Sequence, residues 1–221
     1  MAVYNVWGFR RGPEQAASVL AEWEPDVVFV HECGSRLRLR RFARSLQMRA
    51  VSTRLFPLVR QIRNAVLVRP PWRVVQYRLH RFDRSERFYP RGALVAVIGR
   101  AGYRVAALSV HLGLTPAERV RHAKELVDLA QSMSEPVVIG ADLNDGPESK
   151  SASWMADRLW DAWPKAGEGS GETFPAPDPT ARIDYLFVTE HFTVDRAMVV
   201  AGPQARETSD HLPVLADLTL D

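Results

Sequence analysis

One buried strand that ends in a carboxylate and an amide constrains this chain more than any other stretch. Residues 137–145 begin with β-branched and apolar residues, enough for a buried strand and too few for a helix. Gly140 follows, and a small residue there lets another element approach the backbone closely. Asp142 and Asn144 stand two positions apart, where a strand would direct both side chains to one face. The pair suits water activation and oxyanion binding, and it suits equally well a polar turn that closes the strand.

Other predicted strands also end in polar residues that can take part in catalysis or metal binding. These strands cover residues 2–7, 27–30, 105–110, 183–188 and 212–220. The polar residues at or beside their ends are Asn5, His31, Glu32, His111, Asp184, Asp210 and His211. So many polar strand ends indicate that the ends converge on one pocket, as metal-assisted phosphoester chemistry requires.

The short motifs around these residues resemble the endonuclease/exonuclease/phosphatase superfamily in their order and rough spacing. The motifs are Tyr-Asn-Val (4–6), His-Glu (31–32), Arg-Gly-Ala-Leu (91–94), Val-His-Leu (110–112), Gly-Ala-Asp-Leu-Asn (140–144), Arg-Ile-Asp-Tyr (182–185) and Ser-Asp-His (209–211). The resemblance spans nearly the whole chain. It implies an α+β, four-layer α/β/β/α sandwich of two packed mixed, mainly antiparallel sheets with helices outside. It also implies a site where the strand ends of both sheets meet.

Three residues are candidate metal ligands. Hydrolysis of a phosphate ester needs a cation on the phosphoryl oxygens, a water in line and assistance to the leaving group. Glu32 is the first choice as a ligand of Mg²⁺ or Mn²⁺, because a hard divalent ion prefers one or two carboxylates and keeps several waters. The resemblance implies that Asn5 and Asp210 stand close to the same ion.

Five further residues have roles in the chemistry that follow from the resemblance. Asp142 is expected to orient and deprotonate water, and Asn144 to donate to a phosphoryl oxygen as negative charge builds. His211 would be a second donor, with Asp184 holding its other ring nitrogen and fixing its tautomer. His111 is expected to contact the phosphate or the leaving oxygen, as histidine is common here in deoxyribonuclease-like, sphingomyelinase-like and tyrosyl-phosphodiesterase-like members.

Substrate binding is less well defined by the sequence. Arg91 and Asn64 match positions that often line the superfamily's cleft. Residues 1–104 hold 20 Arg or Lys and 7 Asp or Glu, residues 105–221 hold 9 and 19, and the net charges are +13 and −10. This basic half gives modest support to an anionic substrate. Residues 77–91, predicted to be irregular, mix arginine with aromatic residues, which suits nucleic acid, lipid headgroups or an ordinary surface loop.

Length and composition favour one globular domain over residues 1–221. The chain has 46% hydrophobic and 25% charged residues, which is ordinary for such a domain. No apolar run is long enough for a membrane span, and no signal peptide is expected before the strand that carries Asn5. The single cysteine, Cys33, excludes an internal disulfide and agrees with a reducing compartment. The chain is therefore expected to be a cytoplasmic monomer.

The local patterns also predict most elements. Helices are predicted over residues 12–24, after a Ser35 cap, and from a capping box at Thr115 and Glu118 to about residue 131. Short strands are predicted over residues 49–52, 64–68, 73–79, 93–98, 104–110 and 192–200. Residues 154–163 are predicted to be irregular, and residues 168–179 to form a loop over the site. His31, outside the expected catalytic set, is predicted to be structural or at the surface, as are His80, His122 and His191.

The predicted function is a metal-dependent phosphoesterase that uses in-line attack of an activated water on a phosphodiester or phosphomonoester. Its partner is then a phosphoester substrate, with nucleic acid such as DNA slightly preferred. A phospholipid or sugar-phosphate phosphohydrolase is the alternative within the same superfamily. A non-catalytic anion-binding module is the alternative from another class.

Overall fold

Two six-stranded sheets face each other in the computed structural model, which describes residues 1–53, 62–83 and 89–221. The first sheet has the spatial order β11 (Phe192–Val199), β12 (Val214–Leu220), β1 (Ala2–Asn5), β2 (Val27–His31), β4 (Ala65–Val68), β3 (Arg49–Ser52). The second has the order β5 (Arg73–Arg81), β6 (Gly92–Arg100), β7 (Tyr103–His111), β8 (Val137–Asp142), β10 (Asp184–Val188), β9 (Trp160–Asp161).

Six α-helices lie in the described part of the chain. They are α1 (Pro13–Ala21), α2 (Arg36–Ser45), α3 (Pro116–Gln131), α4 (Lys150–Ala156), α5 (Ala162–Ala166) and α6 (Pro203–Thr208). Five of them cover the outer faces, and the short α5 packs at the edge between the two sheets. Each sheet contains one parallel pair, β1 with β2 and β7 with β8, and the other neighbours are antiparallel. The predicted α/β/β/α sandwich of mixed, mainly antiparallel sheets is confirmed.

The central strands are buried on both faces, which explains their unbroken apolar runs. On β2, Val27 and Phe29 point into the layer between the sheets, while Val28 and Val30 pack toward the helices outside the first sheet. On β8, Val138 lies between the sheets, whereas its neighbours on either side contribute to the cluster beneath α3 and α4. Alternation of side chains along each strand thus builds three apolar layers.

Gly140 allows the two sheets to approach closely beside the site. A Cβ atom on Gly140 would lie 2.2 Å from Cγ of Phe29 on the opposite sheet. Real Cβ atoms do not come this close, so any side chain here would force the sheets apart. The close approach predicted for this small residue is confirmed.

The predicted helix starts follow local hydrogen bonds. The Ser35 hydroxyl accepts from the Arg38 amide, and Thr115 and Glu118 form the reciprocal capping box at the start of α3. No helix of the described residues combines the length and the apolar character needed to cross a bilayer.

Several predicted boundaries were wrong. The first helix ends at Ala21, not near residue 24, and β5 continues through residue 81, so residues 77–81 are strand and not irregular loop. Residues 154–163 contain the end of α4, the short strand β9 and the start of α5. Helix α6, before the Ser-Asp-His loop, was not predicted. Arg84 and Arg87, which belong to the predicted irregular segment 77–91, lie outside the described residues.

Candidate active site

Three predicted site residues lie side by side on neighbouring strands of the second sheet. The register pairs His111 of β7 with Asp142 of β8, and Asp142 with Asp184 of β10. In the first sheet, Asn5 of β1 is paired with His31 of β2. The strand register therefore places the polar residues in two rows, with His111, Asp142 and Asp184 on the second sheet and Asn5 and His31 on the first.

Hydrogen bonds between the sheets join these rows. The Asn5 amide Nδ2 donates to Asp142 Oδ2 at 2.9 Å, and His31 Nε2 lies 3.2 Å from the Gly140 carbonyl oxygen, to which it donates. The Ser109 hydroxyl donates to the Val30 carbonyl oxygen at 3.1 Å. The strand ends of both sheets thus meet at one place, as the resemblance implied.

Asp142 is the centre of the cluster and is fully buried. Its Oδ2 atom lies 3.4 Å from Nε2 of His111 and 3.9 Å from Nε2 of His211. Burial by itself would raise the pKa of this carboxyl, but the two histidines outweigh it and the pKa is lowered from its ordinary value. Asp142 is therefore an ionised acceptor at neutral pH.

His211 is oriented by Asp184, a residue 27 positions earlier in the chain. Its Nδ1 atom lies 2.8 Å from Asp184 Oδ2, which also accepts a 2.7 Å hydrogen bond from the Thr173 hydroxyl. Burial opposes the charged imidazolium, yet Asp184 and Asp142 outweigh it and raise the His211 pKa to about 10. His211 is therefore an imidazolium at neutral pH, with Nε2–H on the side of Asp142.

His111 has the opposite charge state, although it also faces Asp142. Burial lowers the pKa of His111 well below its ordinary value, and the nearby Arg91, His31 and His211 reinforce this shift against the attraction of Asp142. The cluster thus holds one charged and one neutral histidine on either side of a single carboxylate.

Asn144 lies just beyond β8, in a turn and not on the strand. Its φ of +54° lies in the left-handed region, its backbone N–H donates to Asp142 Oδ1 at 3.1 Å, and its Nδ2 donates to the Leu112 carbonyl oxygen at 3.2 Å. The prediction that strand alternation sets its direction was wrong. The polar turn after β8 is therefore also part of the site, because this turn supplies a hydrogen bond to Asp142.

Glu32 and Asp210 carry negative charge that the protein leaves partly uncompensated. Among the described residues, no donor is hydrogen-bonded to the Glu32 carboxylate, and Glu32 has a left-handed φ of +52°. Burial, then Asp142 and Asp210, raise the pKa of Glu32, while Arg91 and His211 oppose the shift. Burial and Asp142 also raise the pKa of Asp210. These half-buried carboxylates fit a hard cation that would relieve their repulsion and keep part of its water shell.

Asn5 is hydrogen-bonded to Asp142 through its side-chain amide and to Ser209, the neighbour of Asp210 in the chain, through its backbone carbonyl oxygen. Its side-chain oxygen accepts from the Trp7 backbone N–H at 3.0 Å, so the amide is fixed at both ends. A second lone pair on that oxygen leaves it able to act as a ligand as well.

His31, Asp142 and Asp184 form a second group that can hold a metal ion, with one ligand atom from each lying within 4.8 Å of the others. His31, predicted to be structural or at the surface, is fully buried beside Asp142 and Asp184. Within residues 1–53, 62–83 and 89–221, the Nδ1 atom of His31 and the Oδ1 atom of Asp184 have no hydrogen-bond partner. The carboxylates of this group already face His211, so Glu32 and Asp210 offer the better-fitting donors for a hydrated divalent ion.

The two predicted substrate contacts lie in different surroundings. Arg91 lines a cleft of 630 Å³ together with Glu32 and His111, and its charge interacts with Asp142 and Glu32. Asn64 lines the same cleft, but its Nδ2 atom donates to two backbone carbonyl oxygens, of Gly92 and Ser109. Its amide therefore also joins β4 to the second sheet.

Neither Thr173, which contacts Asp184, nor three arginines of the cleft were predicted from the sequence. Thr173, which fixes Asp184, lies in a Gly- and Pro-rich loop where nothing in the sequence distinguishes it from its neighbours. The three arginines of the cleft that lie outside residues 77–91 are Arg10, Arg38 and Arg63.

Two facing sheets, with carboxylates, amides and histidines gathered where their strand ends meet, define the class of sandwich-fold phosphoesterases. The sequence model described as the Endonuclease/Exonuclease/phosphatase family matches residues 2–211. The chain therefore belongs to this family, whose members are hydrolases and are generally metal-dependent. A search of curated proteins found no match.

Solved structures share the fold at low sequence identity. An endonuclease/exonuclease/phosphatase from Bacteroides vulgatus has a TM-score of 0.86 and 17% identity, covering 100% of this chain and 98% of its own. A mannosyl-6-phosphatase from Bacteroides thetaiotaomicron has a TM-score of 0.84 and 19% identity, covering 99% and 98%. A humanized D. rerio TDP2 has a TM-score of 0.81 and 18% identity, covering 99% and 97%.

Proposed function

We propose that the protein is a Mg²⁺- or Mn²⁺-dependent phosphodiesterase with a nucleic acid as the preferred substrate. The observation that carries the proposal is the position of buried Asp142, whose Oδ2 atom lies 3.4 Å from Nε2 of His111 and 3.9 Å from Nε2 of His211, the histidine that Asp184 orients. An acceptor-only carboxylate beside a charged donor is what in-line attack of water on a phosphate requires.

Glu32 and Asp210 would hold the metal ion, with Asn5 beside them. The ion, when bound, would neutralise charge on the phosphoryl oxygens and on the leaving group. The turn after β1 and the left-handed backbone conformation of Glu32 hold these ligands in position.

Asp142 orients the attacking water and takes up its proton as the water oxygen bonds to phosphorus. The bond from phosphorus to the leaving oxygen on the opposite side breaks, and that oxygen takes a proton from bulk water. Its other contacts, from Asn5 and from the Asn144 backbone, hold the carboxylate in one orientation. His211 donates Nε2–H to a phosphoryl oxygen while Asp184 holds Nδ1. Asn144 has a second amide hydrogen for the same phosphate, and His111, neutral, contributes an N–H without adding charge.

The arginine-lined cleft supports a nucleic acid over a small monoester. Arg10, Arg38, Arg63 and Arg91 line it together with Tyr89. In the proposed mechanism the scissile phosphate lies at Glu32 and His211, so the additional cations of the cleft would bind additional phosphates of the same substrate.

Divalent-ion removal tests the proposal. Hydrolysis of bis-(p-nitrophenyl) phosphate and of plasmid DNA is expected to disappear in chelator and return with Mg²⁺ or Mn²⁺. Asp142→Asn and His211→Ala are each expected to lower turnover by about 10²–10⁴-fold. A panel that adds abasic oligonucleotide, phospholipid vesicles and sugar phosphates identifies the substrate class. Full activity in chelator would exclude the metal-dependent mechanism. Variants whose hydrolysis does not differ from that of the parent in any assay would favour the binding-module alternative.

A further inference from the structure

Trp7 stands on the boundary between two clefts that open beside the metal-binding residues. One is the 630 Å³ cleft that contains Glu32 and Arg91. The other has a volume of 1170 Å³, reaches Asp210, and runs between α1 and α6. Trp7 lines both, and its side chain is only half-buried. A substrate that crosses the site from one cleft to the other would pass this indole ring.

The turn that carries Trp7 is fixed to the metal-binding residues. Trp7, Gly8 and Phe9 have φ angles of +46°, +64° and +56°, all in the left-handed region. The Trp7 N–H donates to the Asn5 side chain at 3.0 Å, and the Gly8 N–H donates to the Glu32 carbonyl oxygen at 2.9 Å. An unusual backbone held in this way positions the indole relative to the scissile phosphate.

The Arg10 guanidinium lies beside the Trp7 ring, and the two groups together form what we call the stacking platform. The guanidinium lies 4.2 Å from the centre of the Trp7 ring and lines the first cleft. Arg38 donates from Nη1 to the Gly8 carbonyl oxygen at 2.9 Å and lines the same cleft. In the described part of the chain, neither Arg10 nor Arg38 pairs with a carboxylate. Their charges remain for a ligand.

We infer that Trp7 stacks on the nucleobase next to the scissile phosphate of a single-stranded polynucleotide, that Arg10 beside the ring binds an adjoining phosphate, and that the two residues thereby determine substrate specificity. The inference rests on the proposed function, because it takes the phosphate to lie at Glu32 and His211. An indole with a cation beside it stacks on any base, since every base has a π-face, and arginines in the groove bind the flanking phosphates. A phosphomonoester has a group on one side only, whereas a polynucleotide strand continues into both clefts.

Binding measurements in the Asp142→Asn background separate stacking from phosphate contacts without any turnover. The two probes are a fluorescein-labelled single-stranded octanucleotide and a base-free oligomer with the same number of phosphates. Trp7→Leu is expected to weaken octanucleotide binding by about 5- to 150-fold, the range of one base–aromatic stack. The affinity for the base-free oligomer is expected to fall less than twofold. The affinity ratio, defined as the dissociation constant of the base-free oligomer divided by that of the octanucleotide, therefore falls. Trp7→Phe, which keeps a ring, is expected to retain most of that ratio.

Arg10→Gln gives an independent readout of the same platform. It removes one phosphate-facing charge, so the log–log salt slope of binding is expected to fall by about 0.7 for either oligomer. Arg40→Gln removes an exposed charge from the same region of the sequence but outside both clefts, and is the matched control.

Two outcomes would overturn the inference. One is an affinity ratio that Trp7→Leu leaves unchanged, whether because neither oligomer binds more weakly or because both weaken equally. The other is that the octanucleotide does not bind to Asp142→Asn. If Trp7→Leu does not fold, Trp7→Phe decides: the octanucleotide is expected to quench tryptophan emission in the parent and much less in this variant. Failure of the proposed function is recognised separately, as an absence of metal-dependent hydrolysis by the unmodified enzyme.

Discussion

Replacing Asp184 by asparagine tests how the protein keeps His211 charged. The substitution preserves size but removes the negative charge 2.8 Å from Nδ1. Asp184 makes the largest favourable contribution to the His211 pKa of about 10. Burial, which opposes the imidazolium, remains in the variant. The His211 pKa is therefore expected to fall by at least about two units, toward its ordinary value of about 6.5.

The magnitude follows from the shift between folded and unfolded states. Raising a histidine pKa from 6.5 to about 10 stabilises the folded protein by about 5 kcal/mol below pH 6 and by about 4 kcal/mol at pH 7. That stabilisation is lost as pH rises through 10, because the folded state binds the proton more tightly. Asp142 and Asp210 still support the imidazolium in Asp184→Asn, so the expected loss at pH 7 is about 2–4 kcal/mol.

Two measurements check this expectation. Urea unfolding at pH 5 to 10 gives the stability difference, and a histidine NMR titration gives the His211 pKa directly. The high-pH limb of kcat is also expected to move from near pH 10 toward neutrality, because hydrolysis requires the charged donor. Thr173→Val is the matched control: it removes the other hydrogen bond to Asp184 Oδ2 but leaves the carboxylate charge. It is expected to lose about 1 kcal/mol and to keep the high pKa.

The result that would refute the reasoning is a His211 pKa that stays high in Asp184→Asn. An unmoved high-pH limb with a lowered pKa would instead show that hydrolysis does not depend on the imidazolium.

Two further predictions concern the metal and the contact between the sheets. Glu32→Gln is expected to raise the Mg²⁺ concentration for half-maximal hydrolysis at least about tenfold, measured by metal titration, while exposed Glu14→Gln leaves it unchanged. Gly140→Ala is expected to destabilise the fold by about 1–3 kcal/mol in urea unfolding, because its Cβ would meet Phe29 at 2.2 Å. Gly146→Ala, where a Cβ meets nothing within 4 Å, is the control, and equal stability of the two variants would contradict the packing argument.

The sequence determined the strand framework and the identities of the residues at its ends. Buried strands such as β8 were predictable because an apolar run buried on both faces is a local pattern. The caps at Ser35 and Thr115 were predictable because the hydrogen bond that starts a helix joins residues three positions apart. The order of the polar motifs indicated convergence, and the register of β7, β8 and β10 brings His111, Asp142 and Asp184 together.

Charge states were decided only by the tertiary structure. His111 follows one predicted strand, and His211 precedes another. Both are histidines, and both face Asp142. One is neutral because burial dominates, and the other is charged because Asp184 reaches its second nitrogen. A pKa depends on distances between groups far apart in sequence, which no local pattern contains.

The surroundings of the site were likewise beyond local patterns. Thr173 contacts Asp184 only because a loop with no regular structure folds back onto β10. Trp7 lies between two clefts because a left-handed turn, fixed by Asn5 and Glu32, projects its ring there. The sequence determined which chemical groups are available, and long-range packing decided which of them meet, since contact between distant segments is a property of the folded chain.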